Sequence, residues 1–274
     1  MISLALSRPR AMLAERRLAL PPDVLGLAVA LFAAALLLRA VPSGDLGWHL
    51  RTGAWILSHH AIPTADIYSF TRLGAPWVEQ EWLWQVTMAL VNAAAGQVGV
   101  AAANAVLAGA TIGLVYVAAR LRGSPHVFAL AGTVAALAVM MVYSDARPSL
   151  LIGLCSSALI ALFEAYRRSG NWRWLIGALA VEAVWANCHG SYGIGFGLCG
   201  VYALAALWEG RRPRAGLPWA ILLAGLMTAS LLNPLGPGLW HFTVVASQLT
   251  FNREFVGEWK ALDLGSPVSL PIET

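Results

Sequence analysis

The pattern of apolar and polar positions divides the chain into long apolar stretches separated by short charged ones, with one polar segment much longer than the others. A helix needs about 20 mostly apolar residues to cross roughly 30 Å of hydrocarbon. Stretches that approach this length and end at charge, Pro or Gly run over 23–41, 98–119, 126–143, 149–166, 173–188, 191–208 and 217–232, and each predicts a transmembrane helix. An eighth helical stretch, 81–95, is short. The exceptional segment is 43–84, "SGDLGWHLRTGAWILSHHAIPTADIYSFTRLGAPWVEQEWLW", which carries Asp45, Asp66, Glu79 and Glu81 together with His49, His59 and His60.

Composition agrees with a bilayer. Of 274 residues 58% are hydrophobic and only 12% charged, and the mean hydropathy of +0.66 exceeds what a soluble domain needs for its core. The expected fold class is therefore an all-α membrane protein of about seven transmembrane helices. Short cytoplasmic loops collect Lys and Arg. Arg8, Arg10, Arg16 and Arg17 precede the first predicted span, Arg120 and Arg122 follow the second, Arg167, Arg168 and Arg173 the fourth, and Arg211, Arg212 and Arg214 the sixth. Seven crossings put all four clusters on the cytoplasmic side; an eighth would reverse Arg120 and Arg122. Residues 81–95, flanked and entered by Trp77, Trp82 and Trp84, are accordingly expected at the outer interface, with a short tilted span as the alternative.

This predicts a basic cytoplasmic N-terminus (1–22), a first transmembrane helix (23–41), an outer loop with interfacial helices (42–97), a helix bundle (98–232) and an outer or interfacial C-terminal segment (233–274). The apolar run after the basic N-terminus has spanning length and no small-residue cleavage site behind it, so it reads as an anchor and not a cleaved signal peptide. The net charge of +4 comes from the cytoplasmic loops, which argues for orientation and not for nucleic acid. Cys155, Cys188 and Cys199 lie in apolar segments at no metal or redox spacing and read as packing residues. No GxGxxG, P-loop, zinc spacing or nucleophile elbow stands in a suitable context, which removes most soluble-enzyme classes.

In this topology the unusual polar residues gather on the outer face: Asp45, His49, Arg51, Asp66, Glu79 and Glu81 in the first loop, Asp145 and Arg147 in "YSDARPS", Asn187 and His189 in "NCHGSYG", Asn233 and His241 in "NPLGPGLWHF". The asymmetry predicts a polar chamber opening outward and roofed by the first loop. Each residue also has a structural reading. Asp45 suits the N-cap of the helix "LGWHLRTGAWIL" as well as the role of base or metal ligand. Asp66 sits among turn formers and reads as structural. One of Glu79 and Glu81 suits a helix cap while the other faces the site, and Glu81 is the choice for the site. Arg147 suits either lipid phosphate or the phosphate of a substrate. His189 precedes the glycine-rich "GSYGIGFG" and suits a structural hydrogen bond or a place in the chamber. Glu182 lies inside a span, where charge is expensive, and is expected low in the same cavity; Glu164 and Glu209 beside the arginines read as surface charges.

The succession "GDLGWHLRTGAWIL", "PTADIYSFTRLGAPWVEQEWL", "ARP", "WANCHG", "NPLG" and "EW" resembles a family of bacterial polytopic membrane proteins related to the glycosyltransferase C superfamily. The matching residues run in one order along most of the chain and include Asp45, Trp48, His49, Asp66, Glu81, Arg147, Trp185, Asn187, His189, Asn233, Glu258 and Trp259. The resemblance implies a multi-pass protein of a bacterial inner membrane, N-terminus cytoplasmic, that transfers a sugar from a polyprenyl-phosphate-linked donor to an acceptor at the periplasmic face. It implies Asp45 as base or metal-associated carboxylate, Glu81 as second acid, and His49, Arg147, Asn187 and His189 as substrate-binding groups.

Members of that superfamily are usually longer, so the resemblance also implies a C-terminally shortened chain: a truncated product, a partial unit whose fold a membrane-protein partner would complete, or a shortened member without catalysis. No Asp-x-Asp pair stands at the start of the loop, which leaves a divalent metal open. Two other readings compete with a transferase. A lipid-carrier transporter or flippase would bind phosphate without chemistry, and a scaffold of envelope polysaccharide assembly would bind no donor at all.

Overall fold

The computed structural model describes residues 24–39, 43–210 and 213–248. The basic N-terminus, Arg211, Arg212, Glu258 and Trp259 lie outside the described residues. Among those described the secondary structure is helical, with one isolated bridge, Ala65 to Pro76, closing a turn in the long polar segment.

Helices cover every predicted apolar segment. They are α1 (Val24–Leu37), α2 (Leu46–His59), α3 (Trp82–Leu121), α4 (His126–Tyr143), α5 (Leu150–Ser169), α6 (Arg173–Ala186), α7 (Gly193–Gly210), α8 (Leu217–Ser230) and α9 (Gly238–Gln248). Four helical stretches, Trp82–Leu121, His126–Tyr143, Leu150–Ser169 and Gly190–Glu209, are long and apolar enough to cross a membrane. α1, α6 and α8 have 14 residues each, about 21 Å at 1.5 Å per residue, and fall short of the full hydrocarbon thickness.

The short helix expected over 81–95 is the first arm of α3, which runs 40 residues and breaks at Gly96 (φ 61°, ψ −159°). Only glycine enters that backbone region without strain, so the break is written in the sequence as a single residue. The second arm is the core of the bundle and packs against α1, α4 and α5. On its α1 side, a Cβ at Gly109 would stand 2.6 Å from the Ala30 carbonyl oxygen and 2.7 Å from the Ala34 Cβ, and one at Gly113 would stand 2.7 Å from the Ala30 Cβ. Small residues four apart on both helices thus let the backbones touch, the packing that lipid-embedded helices favour where no hydrophobic force drives them together.

α2 docks on the first arm of α3, where Gly53 admits the backbone of Gln85. α5, α6, α7 and α8 complete the bundle around Leu159, Phe163, Trp185 and Leu226, all removed from solvent.

The two ends of the bundle differ. At one end the C-termini of α3, α5 and α7 meet through Glu164, whose Oε1 lies 2.7 Å from Arg122 Nη1, 2.7 Å from the Tyr202 hydroxyl and 3.6 Å from Arg167 Nη1. Arg167 also reaches Glu209 at 2.9 Å. Glu164 is therefore a buried junction and not the surface charge that its basic neighbours suggest; Arg122 and Tyr202 come from other helices and close over it. At the opposite end Arg39 donates to the Met141 carbonyl at 2.6 Å and Asn104 to the Ser144 carbonyl at 2.5 Å, tying α1, α3 and α4 together beside the polar loops.

Candidate functional site

The site is assembled at the second end from four separated pieces of sequence: the start of α2, the approach to the first arm of α3, the turn before α5 and the turn after α6. Asp45 occupies the N-cap position of α2 but its side chain makes no capping bond. It pairs with Arg147 instead, Nε to Oδ2 at 3.1 Å, with the two side chains 48% and 30% exposed. Arg147 Nε also donates to the Ser43 hydroxyl at 3.3 Å. The loop before α5 and the loop before α2 are thereby joined at a charged pair open to solvent on one side.

Behind this pair lies a desolvated layer. His49 is buried, stacked on Trp48 with ring centroids 4.5 Å apart, and its Nδ1 lies 3.5 Å from Gln85 Nε2. Burial pushes its imidazole down to about 4, against the pull of Asp45 and with the push of Arg147 and His189. Those three side chains are near enough to His49 to act on its charge, which makes it the centre of the cluster.

Glu81 stands at the entrance of α3 without a capping bond. Its Oε1 lies 4.0 Å from His189 Nε2, with side chains 18% and 23% exposed. Burial first, then the carboxylates of Glu79 and Asp45, push Glu81 up to about 8, so it is a protonated acid at neutral pH.

Burial also keeps His189 neutral, and its tautomer is fixed by its neighbours. Its Nδ1 accepts the Ser191 backbone N–H at 3.2 Å and lies 2.7 Å from the Ser191 hydroxyl. A backbone N–H only donates, so Nδ1 must be the lone-pair nitrogen and the proton sits on Nε2, facing Glu81. Burial pushes the imidazole down to about 4. Trp185 Nε1 donates to the Ser191 hydroxyl at 3.1 Å and holds that support in place.

Glu79 carries more of the site than sequence reasoning gives it. It is buried and accepts Gln85 Nε2 at 2.9 Å, Trp77 Nε1 at 3.2 Å and the Glu81 backbone N–H at 3.3 Å. Burial pushes its carboxyl up against these three bonds. The spacing Glu-x-Glu was the available signal, but only the folded loop decides which acid turns inward. Together with Trp48, Pro76, Trp77, Val78, Gln80, Glu81 and Phe242 it lines a pocket of about 390 Å³. Trp48 and Trp77 meet edge to face at 6.0 Å and form its aromatic wall. Phe242 comes from α9, a contribution that no spacing in the sequence announces.

Other sequence candidates are occupied by structure. Asn187 accepts Trp82 Nε1 at 2.7 Å and donates to the Ala183 carbonyl at 2.7 Å, so its amide joins α6 to α3. Asn233 donates to the Ala186 carbonyl at 2.9 Å. Asp66 accepts the Tyr68 and Ser69 backbone N–H groups at 2.8 and 3.0 Å and organises its own turn. Among the described residues no three His, Cys, Asp or Glu side chains come together as a metal cage. Asp45 has Arg147 as its partner.

Comparison with family models, curated proteins and solved structures returns no match. The resemblance set out above therefore rests on the residues quoted for it.

Proposed function

We propose that the protein is a membrane glycosyltransferase that takes a sugar from a polyprenyl-phosphate-linked donor and transfers it to an acceptor at the outer face of a bacterial inner membrane. The observation that carries this reading is the adjacency of a solvent-facing Asp45–Arg147 pair to a protonated acid, Glu81, that borders an aromatic pocket. In this reading the chain crosses the membrane seven times, with the basic Glu164 end in the cytoplasm.

The resting ion pair gives the reaction its order. A donor phosphate competes for Arg147, whose guanidinium geometry suits a phosphate, and its arrival releases Asp45. The freed carboxylate takes the proton from the acceptor hydroxyl as the oxygen bonds to the anomeric carbon. The bond from that carbon to the phosphate oxygen breaks, the electron pair leaves with the polyprenyl phosphate, and Arg147 balances the charge. Glu81 in its acid form and the Nε2–H of His189 supply neutral donors, so neither repels the phosphate. Trp48 and Trp77 offer apolar faces of the kind on which sugar rings stack.

The test is turnover of polyprenyl-phosphate sugars by the purified full chain, with sugar release followed by mass spectrometry beside the Asp45→Asn variant. Transfer that vanishes in the variant while donor binding stays supports the reading. Equal binding without transfer in both forms would replace it with a lipid carrier, and no donor binding in either would replace it with a scaffold.

A further inference from the structure

Glu182 takes no part in the outer site. It lies in α6, its side chain is fully buried, and neither carboxyl oxygen has a hydrogen-bond partner among the described residues. Among the described residues none supplies it a counter-ion. Gly195 of α7 leaves the space that the carboxyl fills, with Leu159 of α5 beside it. The titratable groups that face it are Cys155 of α5, Cys199 of α7 and Tyr192 in the turn before α7. All three are neutral at neutral pH, and α8, which also packs on α6, carries no ionisable side chain. An unpaired carboxylate anion in such surroundings has lost its water and gained nothing in return, so the group is held in the fold as its neutral acid.

We propose that Glu182 is a proton-binding site in the interior of the bundle, occupied while α5, α6 and α7 are packed together and emptied only when they part. The site takes a bare proton: the space over Gly195 is filled by the carboxyl itself, and among the described residues no three His, Cys, Asp or Glu side chains gather there to hold a larger cation. Its position ties it to the outer end. One turn along α6 stands Trp185, whose Nε1 supports Ser191 beneath His189. A charge appearing at Glu182 therefore disturbs the helix that leads into the turn holding His189, whatever reaction the outer site performs.

The experiment uses the purified full chain in detergent. The infrared carbonyl stretch of a protonated carboxyl is recorded in D2O for the parent, for Glu182→Gln and for Glu81→Gln. Glu81 borders the pocket and exchanges quickly; Glu182 is sealed and exchanges slowly. In parallel the chain is treated with dicyclohexylcarbodiimide. Its central carbon bonds to the carboxyl oxygen as the acid proton moves to nitrogen, and an acyl shift then leaves a stable N-acylurea on the peptide.

The expected result is a slowly exchanging band that is lost in Glu182→Gln alone, with the adduct mapped to Glu182. The amide is a close isostere of the neutral acid, so the variant is expected to keep the parent's melting temperature. A band unchanged by Glu182→Gln overturns the proposal whatever the reagent reaches. Failure of Glu182→Gln to fold also overturns it, because the fold would then depend on the ionised group.

Discussion

Glu164 and Glu81 are both carboxylates withdrawn from water at the ends of one helix bundle, and they are treated in opposite ways. Glu164 is met by Arg122, Arg167 and Tyr202 inside a junction of three helices. Glu81 receives a neutral histidine at 4.0 Å and two neighbouring acids, and it holds its proton. A group whose hydrogen-bonding capacity is spent contributes to the fold and is unavailable to a ligand. One left underused costs stability and stays free for chemistry. The basic end is built to hold the helices and the polar end to meet something from outside.

The sharpest way to break this contrast is at Asp45. Asp45→Asn keeps the shape and can still accept from Arg147, so folding is expected to survive. Loss of a general base is expected to slow transfer about 10²- to 10⁴-fold, read as sugar release from a polyprenyl-phosphate sugar. A variant that unfolds instead would make Asp45 a structural residue like Glu164.

Glu164→Gln supplies the converse. Removing one partner of a buried ion pair costs about 3–5 kcal/mol, and the lower end, about 3 kcal/mol, is expected because Arg122 is 60% exposed and regains water. The measurement is detergent-phase thermal unfolding, and donor binding should be unchanged in the surviving folded fraction.

A smaller effect separates the ends by pH. His49 and His189 sit near 4 in the fold against 6.5 when unfolded, so the unfolded chain binds protons that the fold refuses. Stability is lost as pH falls from 6.5 towards 4. Glu81 sits near 8 against 4.5, so the unfolded chain releases a proton that the fold retains, and stability is lost as pH rises from 4.5 towards 8. Two histidines outweigh one carboxyl below 6.5, so from these three groups the melting temperature is expected to peak near about 6.5, where the proton the histidines take up on unfolding balances the one Glu81 releases. Glu81→Gln should weaken the alkaline fall and steepen the rise between 4.5 and 6.5. An unchanged alkaline slope would show that Glu81 is ionised in the fold.

The smallest effect belongs to the Arg167–Glu209 pair, 2.9 Å apart but with Glu209 58% exposed. A double-mutant cycle to alanine is expected to return less than about 1 kcal/mol. A larger coupling would extend the Glu164 junction out to the surface.

Much of this was legible in the chain. Runs of apolar residues bounded by charge located α1, the second arm of α3 and α4 to α8, because helices in lipid satisfy their backbone internally and leave hydropathy as the signal. The clustering of Asp45, His49, Glu81, Arg147 and His189 at one end followed from alternation of direction alone. What sequence does not carry is pairing across distance. Asp45 offers the same signal whether it caps α2 or meets Arg147, and the choice is made only when the two loops close on each other. Glu164 looks like a surface residue until Arg122 and Tyr202 arrive from α3 and α7. Asn187 looks like a site residue until Trp82 takes its oxygen.

The small-residue seam between α1 and the second arm of α3 has a consequence for biogenesis. Ala30 and Ala34 leave the ribosome well before Gly109 and Gly113, the residues that receive them. Between the two lies the whole polar segment with Asp45, His49, Glu79 and Glu81. That segment is thus a loop whose ends are brought together by the later helix, and α2 finds its seat against Gln85 in the same step. In the proposed topology the segment waits on the outer side during synthesis until α3 forms and packs onto α1. A ribosome stalled before Gly113 is expected to leave it open to added protease, and one stalled beyond Leu121 to leave it protected.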